Sequence, residues 1–132
     1  MKKKSLKTLK DEAWKEFSIY IRRRDGGECF TCNQRFWDEE LGEWTIKGMN
    51  AGHFIHNVLD FDEMNINCQC VRCNKYNHGK GTEYSIRLIR KYGLEQVENL
   101  HLKAKRALAG EKYTEQELQD IIEKYKKLNE TS

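Results

Sequence analysis

Two cysteine pairs, Cys29-x-x-Cys32 and Cys70-x-x-Cys73, bracket a Gly52-His53 dipeptide, and the second pair runs directly into Asn74. A structural zinc ion takes four thiolate or imidazole ligands in a tetrahedron, and one C-x-x-C turn brings two sulfurs to the same ion. The four cysteines are therefore the expected zinc ligands. The insert between the pairs, residues 33–69, is longer than in a compact zinc ribbon and must fold as a unit inside the clip. A thioredoxin-like redox site is disfavoured, because no βαβ pattern surrounds either pair. The fifth cysteine, Cys68, falls outside the pair rhythm and reads as a small buried apolar residue.

The polar residues between and after the pairs suggest hydrolysis. A neutral imidazole beside a bound cation is suited to activating water, and His53 sits where such a group would be held at a strand end. Asn74 and His78 are four apart, so on a helix they share a face and could hold one divalent ion with water completing its shell. Asn65, placed just before that helix, could bond across the loop carrying His53 and fix its position. Arg72, Lys75 and Lys80 lie near this ion in sequence and are candidates to grip phosphates. The ordinary alternatives are a structural or exposed histidine and an asparagine that merely starts a helix.

Composition narrows the setting. The 132 residues suffice for one domain, or a small domain with an appendage. With 34% charged residues and a mean hydropathy of −0.90, the core must be modest, which favours a metal staple. No apolar run approaches the ~18 residues a membrane span needs. Met1–Lys4 has the charge of a signal n-region but no apolar h-region follows, so a cytoplasmic location is expected. In that compartment paired cysteines bind metal more often than they form disulfides. The net charge is only +3, but basic residues cluster at Lys2–Lys4, Arg22–Arg24, Lys75–Lys80, Arg87–Lys91 and Lys103–Arg106. Separated clusters of this kind can neutralise phosphates, or can be solvated helix faces.

The elements that must position these groups are read without help from proline, which the chain lacks. Leu6, Leu9, Ala13, Phe17, Tyr20 and Ile21 recur at helical steps and predict a helix over 5–24, capped by Ser5 and ended by Asp25-Gly26-Gly27. Residues 26–81 hold every cysteine and most of the glycines, without a sustained helical period. Two short strands are expected, Glu43–Lys47 and Gly52–Ile55, joined through Gly48-Met49-Asn50, with a helix over 70–78. Thr82 is expected to cap a helix to Tyr92 that places Tyr84, Leu88 and Ile89 on one face and stops at Gly93. A further helix over 94–108 should turn Leu94, Val97, Leu100, Ala104 and Leu108 inward. Thr114 to Glu117 matches a capping box and opens a last helix carrying Leu118, Ile121, Ile122, Tyr125 and Leu128. The expected fold class is α+β: an N-terminal helix (1–25), a zinc-stapled centre (26–81) and a helical C-terminal region (82–132).

The joint order of these pieces resembles the HNH (ββα-metal, treble-clef-like) endonucleases, and more narrowly the phage NinG/Rap recombination nucleases. The resemblance covers roughly residues 10–105. It rests on Cys29-x-x-Cys32, Ala51-Gly52-His53-Phe54, Phe61-Asp62-x-x-Asn65-Ile66, Gln69-Cys70-x-x-Cys73-Asn74, Gly79-Lys80-Gly81, Tyr84 and Leu88–Gly93. It implies a metal-dependent endonuclease acting on branched recombination intermediates such as Holliday junctions and D-loops. His53 then matches the general base, Asn65 the central asparagine, Asn74 the last motif residue and a metal ligand, and the four cysteines a structural zinc site. The catalytic ion would be Mg²⁺ or Mn²⁺. Many HNH enzymes carry Asp or His just before the base; here that residue is Gly52. His78 is the favoured replacement ligand, with His56, Asp60 and Asp62 as alternatives. The family's Asn-x-His-Pro-Gln-Cys reads Asn65-Ile66-Asn67-Cys68-Gln69-Cys70 here, without its His and Pro.

The implied partners are branched DNA, a second copy of the chain in a symmetric dimer, and a recombinase or single-strand-binding protein, with no membrane. The host cytoplasm is the expected location if a phage encodes the chain. The 82–108 helices or the 114–130 helix are candidate dimer faces. Three rivals share the motifs: a non-catalytic zinc-binding DNA-binding module, a zinc-knuckle protein adaptor, and an HNH nuclease of ordinary duplex.

Overall fold

A computed structural model describes residues 3–108 and 112–131; Lys2 of the first basic cluster lies outside them. The architecture is mixed α+β, with two small sheets among helices. Helix α1 (Leu6–Arg24) begins where the Ser5 hydroxyl accepts the Thr8 N–H at 3.1 Å. It ends at Asp25, followed by left-handed Gly26 and Gly27. Leu9, Ala13, Phe17 and Ile21 bury the inner stripe, while Leu6, expected on that stripe, is exposed.

Strands β1 (Phe36–Asp38) and β2 (Glu43–Thr45) form an isolated antiparallel hairpin. Strand β3 (Met49–His53) pairs antiparallel with β4 (Ile66–Cys70), placing His53 opposite Ile66 and Met49 opposite Cys70. The two strands expected over 43–47 and 52–55 thus appear as Glu43–Thr45 and Met49–His53, in different sheets. The residues around Gly48 do not make a hairpin turn between partners; they pass the chain from one sheet to the other. The partner of β3, β4, is hard to read in the sequence because all five of its residues are buried and it shows no in–out alternation.

The helix expected over 70–78 is a π-helix confined to Arg72–Tyr76. Its wide turn is closed by Asn77 N–H to the Arg72 carbonyl and by Gly79 N–H to the Cys73 carbonyl, both at 2.8 Å. His78, at φ +53, has already left the helix.

Helix α2 (Gly81–Tyr92) starts two residues earlier than expected, after a left-handed Lys80, so Thr82 is not its cap. Helix α3 (Leu94–Leu108) buries Val97, Leu100 and Ala104, whereas Leu94 and Leu108 at its ends face solvent. Helix α4 (Glu115–Glu130) opens with a complete Thr114–Glu117 capping box and packs along α1. Phe17 and Ile21 of α1, Tyr125 of α4, and Ala51 and Ile66 of the sheet share one buried cluster. That cluster clamps one face of β3–β4 under α1. Tyr84 of α2 closes another side: its hydroxyl donates to the Gly52 carbonyl at 2.7 Å and accepts from Asn67 Nδ2 at 3.1 Å. Among the described residues no helix is long and apolar enough to cross a membrane.

Candidate active site and metal knuckle

The cysteine clip closes in space. The ligand atoms of Cys29, Cys32, Cys70 and Cys73 all lie within 4.8 Å of one another, and the Cys32 and Cys70 sulfurs are 3.7 Å apart. A zinc tetrahedron with bonds of ~2.3 Å separates its sulfurs by about 3.8 Å, so the set fits that ion. No disulfide joins them. Cys73 N–H points at Cys70 Sγ at 3.5 Å, as the tight turn of a metal knuckle requires. Burial raises the Cys29 thiol, but hydrogen bonds from the Thr31 hydroxyl and nearby backbone amides outweigh it and bring it down to about 7. Burial pushes the Cys73 thiol up to about 12. A divalent cation would reverse such burial costs, because it stabilises the thiolates. Cys68 stands outside the group: it is fully buried, its N–H donates to Asp25 Oδ2 at 2.8 Å, and burial pushes its thiol up to about 12.

The knuckle anchors β4, and β4 holds the strand that ends at His53. His53 Nε2 lies 3.1 Å from Asp60 Oδ1, and the second Asp60 oxygen meets Lys10 Nζ at 3.1 Å. An ionised carboxylate only accepts, so Nε2 is the donor, and in the neutral ring this leaves the lone pair on Nδ1. The hydrogen bond with His53 holds the Asp60 carboxyl below its ordinary value; burial opposes this and Lys10 reinforces it. Trp14 of α1 stacks on the imidazole, with ring centroids 5.1 Å apart and planes 13° from parallel. The ring is thus fixed by a hydrogen bond in its plane and an indole on its face.

Asp60 reaches His53 because the intervening loop doubles back. Leu59 adopts the left-handed conformation, at φ +54, a strained state for a branched side chain. Two things hold it there. Leu59 is buried with Val58, Leu100 and Ala104, and Asn65 clamps the loop from inside. Asn65 is fully buried; its Oδ1 accepts from Ile55 N–H at 2.8 Å, and its Nδ2 donates to the carbonyls of Ile55 and Leu59 at 3.0 and 3.2 Å. Asn65 precedes a strand rather than a helix, but it spans the loop that follows His53.

Two cavities meet at His53. One, of about 520 Å³, is lined by Lys10, Asp11, Trp14, His53, His56, Asn57 and Asp60. The other, of about 470 Å³, is lined by Trp14, Ser18, Arg22, Met49, Asn50, Ala51, His53 and Asn74. His53 and Asn74 therefore open on one cleft. His78 does not join them: the helical register that would have aligned it with Asn74 ends at Tyr76, and its side chain is exposed. Asp62 is occupied elsewhere, receiving the N–H groups of Met64 and Asn65 and an ion pair from Lys103. His56 stacks near His53 at 5.7 Å. Lys75 is exposed, Lys80 lies 3.9 Å from Glu83, and Arg72 lines a separate cavity with Gln34, Phe36 and Lys47.

Gly52 carries no ligand because there is no room for one. A Cβ there would lie 2.8 Å from Gln69 Cδ and 3.0 Å from Cγ, inside contact distance. Gln69 is fully buried, and its Nε2 is committed to Thr31 Oγ1 at 3.1 Å and the Gly79 carbonyl at 2.8 Å. Trp14, Lys10 and the orienting role of Asp60 are not expected from the sequence. The first two sit on α1, dozens of residues from the motif, and no local pattern marks them.

Comparison with known proteins places the chain. It is 30% identical over 119 residues to protein ninG of Escherichia phage 933W, covering 86% of this chain and 53% of that protein. Against protein ninG of Salmonella phage P22 it is 31% identical over 100 residues, covering 72% and 45%. Against that of Escherichia phage lambda it is 31% identical over 94 residues, covering 67% and 42%. The chain thus spans about half the length of these curated relatives. No solved structure matches it. The family described as Bacteriophage Lambda NinG protein matches residues 1–131, so this chain belongs to the NinG family.

Proposed function

We propose that the chain is a metal-dependent, structure-selective DNA endonuclease that hydrolyses phosphodiester bonds in branched recombination intermediates. The observation that carries this reading is His53 itself. It is held by Asp60 and Trp14 with Nε2 turned to the carboxylate, on a cleft it shares with Asn74. The order β3, β4 and π-helix, stapled by four cysteines, further supports a ββα-metal centre.

In this mechanism His53 Nδ1 takes a proton from a water in line with the scissile bond. Asp60 stabilises the resulting imidazolium. The water oxygen bonds to phosphorus, the P–O3′ bond breaks, and the departing oxygen is protonated from solvent. A Mg²⁺ or Mn²⁺ ion, when bound, would neutralise charge on the phosphate. Among the described residues the cysteines are the one group of three or more close Cys, His, Asp or Glu ligands. Asn74, which lines the same cavity as His53, would be one protein ligand of a hard ion, with water and phosphate oxygens available to it for the rest. A junction has two-fold character and paired cuts need two active sites, so the reading includes a homodimer, checked by sedimentation.

The test is a labelled four-way junction beside its matched linear duplex, with Mg²⁺, Mn²⁺ or EDTA, and His53→Ala alongside. Metal-dependent cutting of the junction, absent from the folded variant, is expected. Cutting that survives in His53→Ala would remove the base assignment. Binding without cutting in any metal would make the chain a zinc-stapled DNA-binding module.

A further inference from the structure

Helix α1 runs under both cavities. Lys10, Trp14, Ser18 and Arg22 follow at steps of four, and together they line the cleft on either side of His53. The two ends differ. Lys10 is neutralised by Asp60. Arg22 has no carboxylate partner among the described residues; its Nε donates to the Ser18 carbonyl and hydroxyl, both at 3.2 Å, and its Nη1 to the Ile46 carbonyl at 3.3 Å. Its neighbours in the Arg22–Arg24 run are turned to other work. Arg24 is bound to Asp25, to the carbonyls of Glu63 and Ile66 and to Asn67, and Arg23 donates to the Asn129 carbonyl at the end of α4.

A second donor in the same cavity is also unsatisfied. Asn50 Nδ2 is buried without a hydrogen-bond partner, and Asn50 lines the cavity with Arg22, Asn74 and His53. A half-buried guanidinium without a counter-charge and an orphaned amide donor, on two residues that line one cavity, suit an acceptor that is anionic.

We infer that Arg22 and Asn50 form a phosphate subsite, which receives a backbone phosphate of the nucleic-acid strand on the Asn74 side of His53. Arg22 supplies the charge with its fork already held by Ser18 and Ile46, so little ordering is needed on binding. Asn50 gains its missing acceptor by a turn of the amide into the cavity. The strand then lies along α1, and Trp14 separates the two ends of its path. This rests on the nucleic-acid reading above, but not on cleavage.

The experiment measures equilibrium binding of a labelled four-way junction across a salt series, in EDTA and in a His53→Ala background, with unfolding curves for every variant. Arg22→Gln should bind roughly tenfold more weakly and flatten the log–log salt dependence by about one unit. Arg22→Lys should keep most of the slope. Asn50→Asp places a carboxylate beside Arg22, so it should weaken binding while leaving stability unchanged or higher. Folded Arg22→Gln or Asn50→Asp proteins that bind like the parent would overturn the subsite, as would an equal loss from Arg23→Gln. Loss of binding in a chain that never cuts DNA would keep the subsite and remove the nuclease. Unchanged binding in a chain that does cut would do the reverse.

Discussion

Replacing Gly52 by alanine tests the packing that gives the site its form. The backbone at Gly52 is extended strand, so the expected cost comes from space and not from conformation. A methyl group there meets the Gln69 side chain, whose Cδ and Cγ would lie 2.8 and 3.0 Å away. Gln69 cannot retreat without giving up Thr31 and the Gly79 carbonyl. Forcing a methyl into a filled core costs ~1–3 kcal/mol, and losing the two buried hydrogen bonds adds roughly 1–3 kcal/mol. The expected loss is therefore about 2–6 kcal/mol, a large share of the ~5–15 kcal/mol that holds a domain of this size. Urea unfolding of the wild type, Gly52→Ala, Gln69→Ala and the double variant reads it directly. Gln69→Ala removes the obstruction, so the double variant should be more stable than the sum of the single losses by at least ~1 kcal/mol. A Gly52→Ala loss below ~1 kcal/mol, or strict additivity, would refute the argument. It would also reopen the question of why no ligand occupies this position.

Further outcomes follow from the same geometry. Elemental analysis should find one zinc per chain; Cys73→Ala should lose it and Cys68→Ala should keep it, and chelation should lower the thermal midpoint sharply. Asn65→Ala leaves buried loop backbone unpaired and should cost about 3 kcal/mol in urea unfolding, with cleavage falling further than stability explains. Asp60 has its folded pKa depressed, so the stability it contributes is present above the ordinary value of 3.8 and is lost as pH falls through the lower folded value. Asp60→Asn should therefore flatten the acid limb of the stability curve and slow cleavage, because its amide no longer selects the Nε2-protonated tautomer. An unchanged acid limb would show that His53 and Lys10 do not hold this carboxylate.

Much of this chain is legible from local physics alone. Helices α1, α3 and α4 announce themselves because apolar period, caps and stop signals act over a few residues. The Thr114–Glu117 box and the Ser5 cap form as written. The clustering of the four paired cysteines is readable because C-x-x-C geometry is fixed within one turn, and Cys68 is excluded by the same rule. Tertiary structure decides the rest. β4 is buried on both faces and so carries no alternation to read. The helix after Cys70 widens into a π-turn that ends before His78, which removes the register inferred from spacing. His53 is recognisable as a residue, but its tautomer is set by Asp60 across a strained loop and its plane by Trp14 from another helix. Those contacts join parts of the chain that share no local pattern, so only folding brings them together.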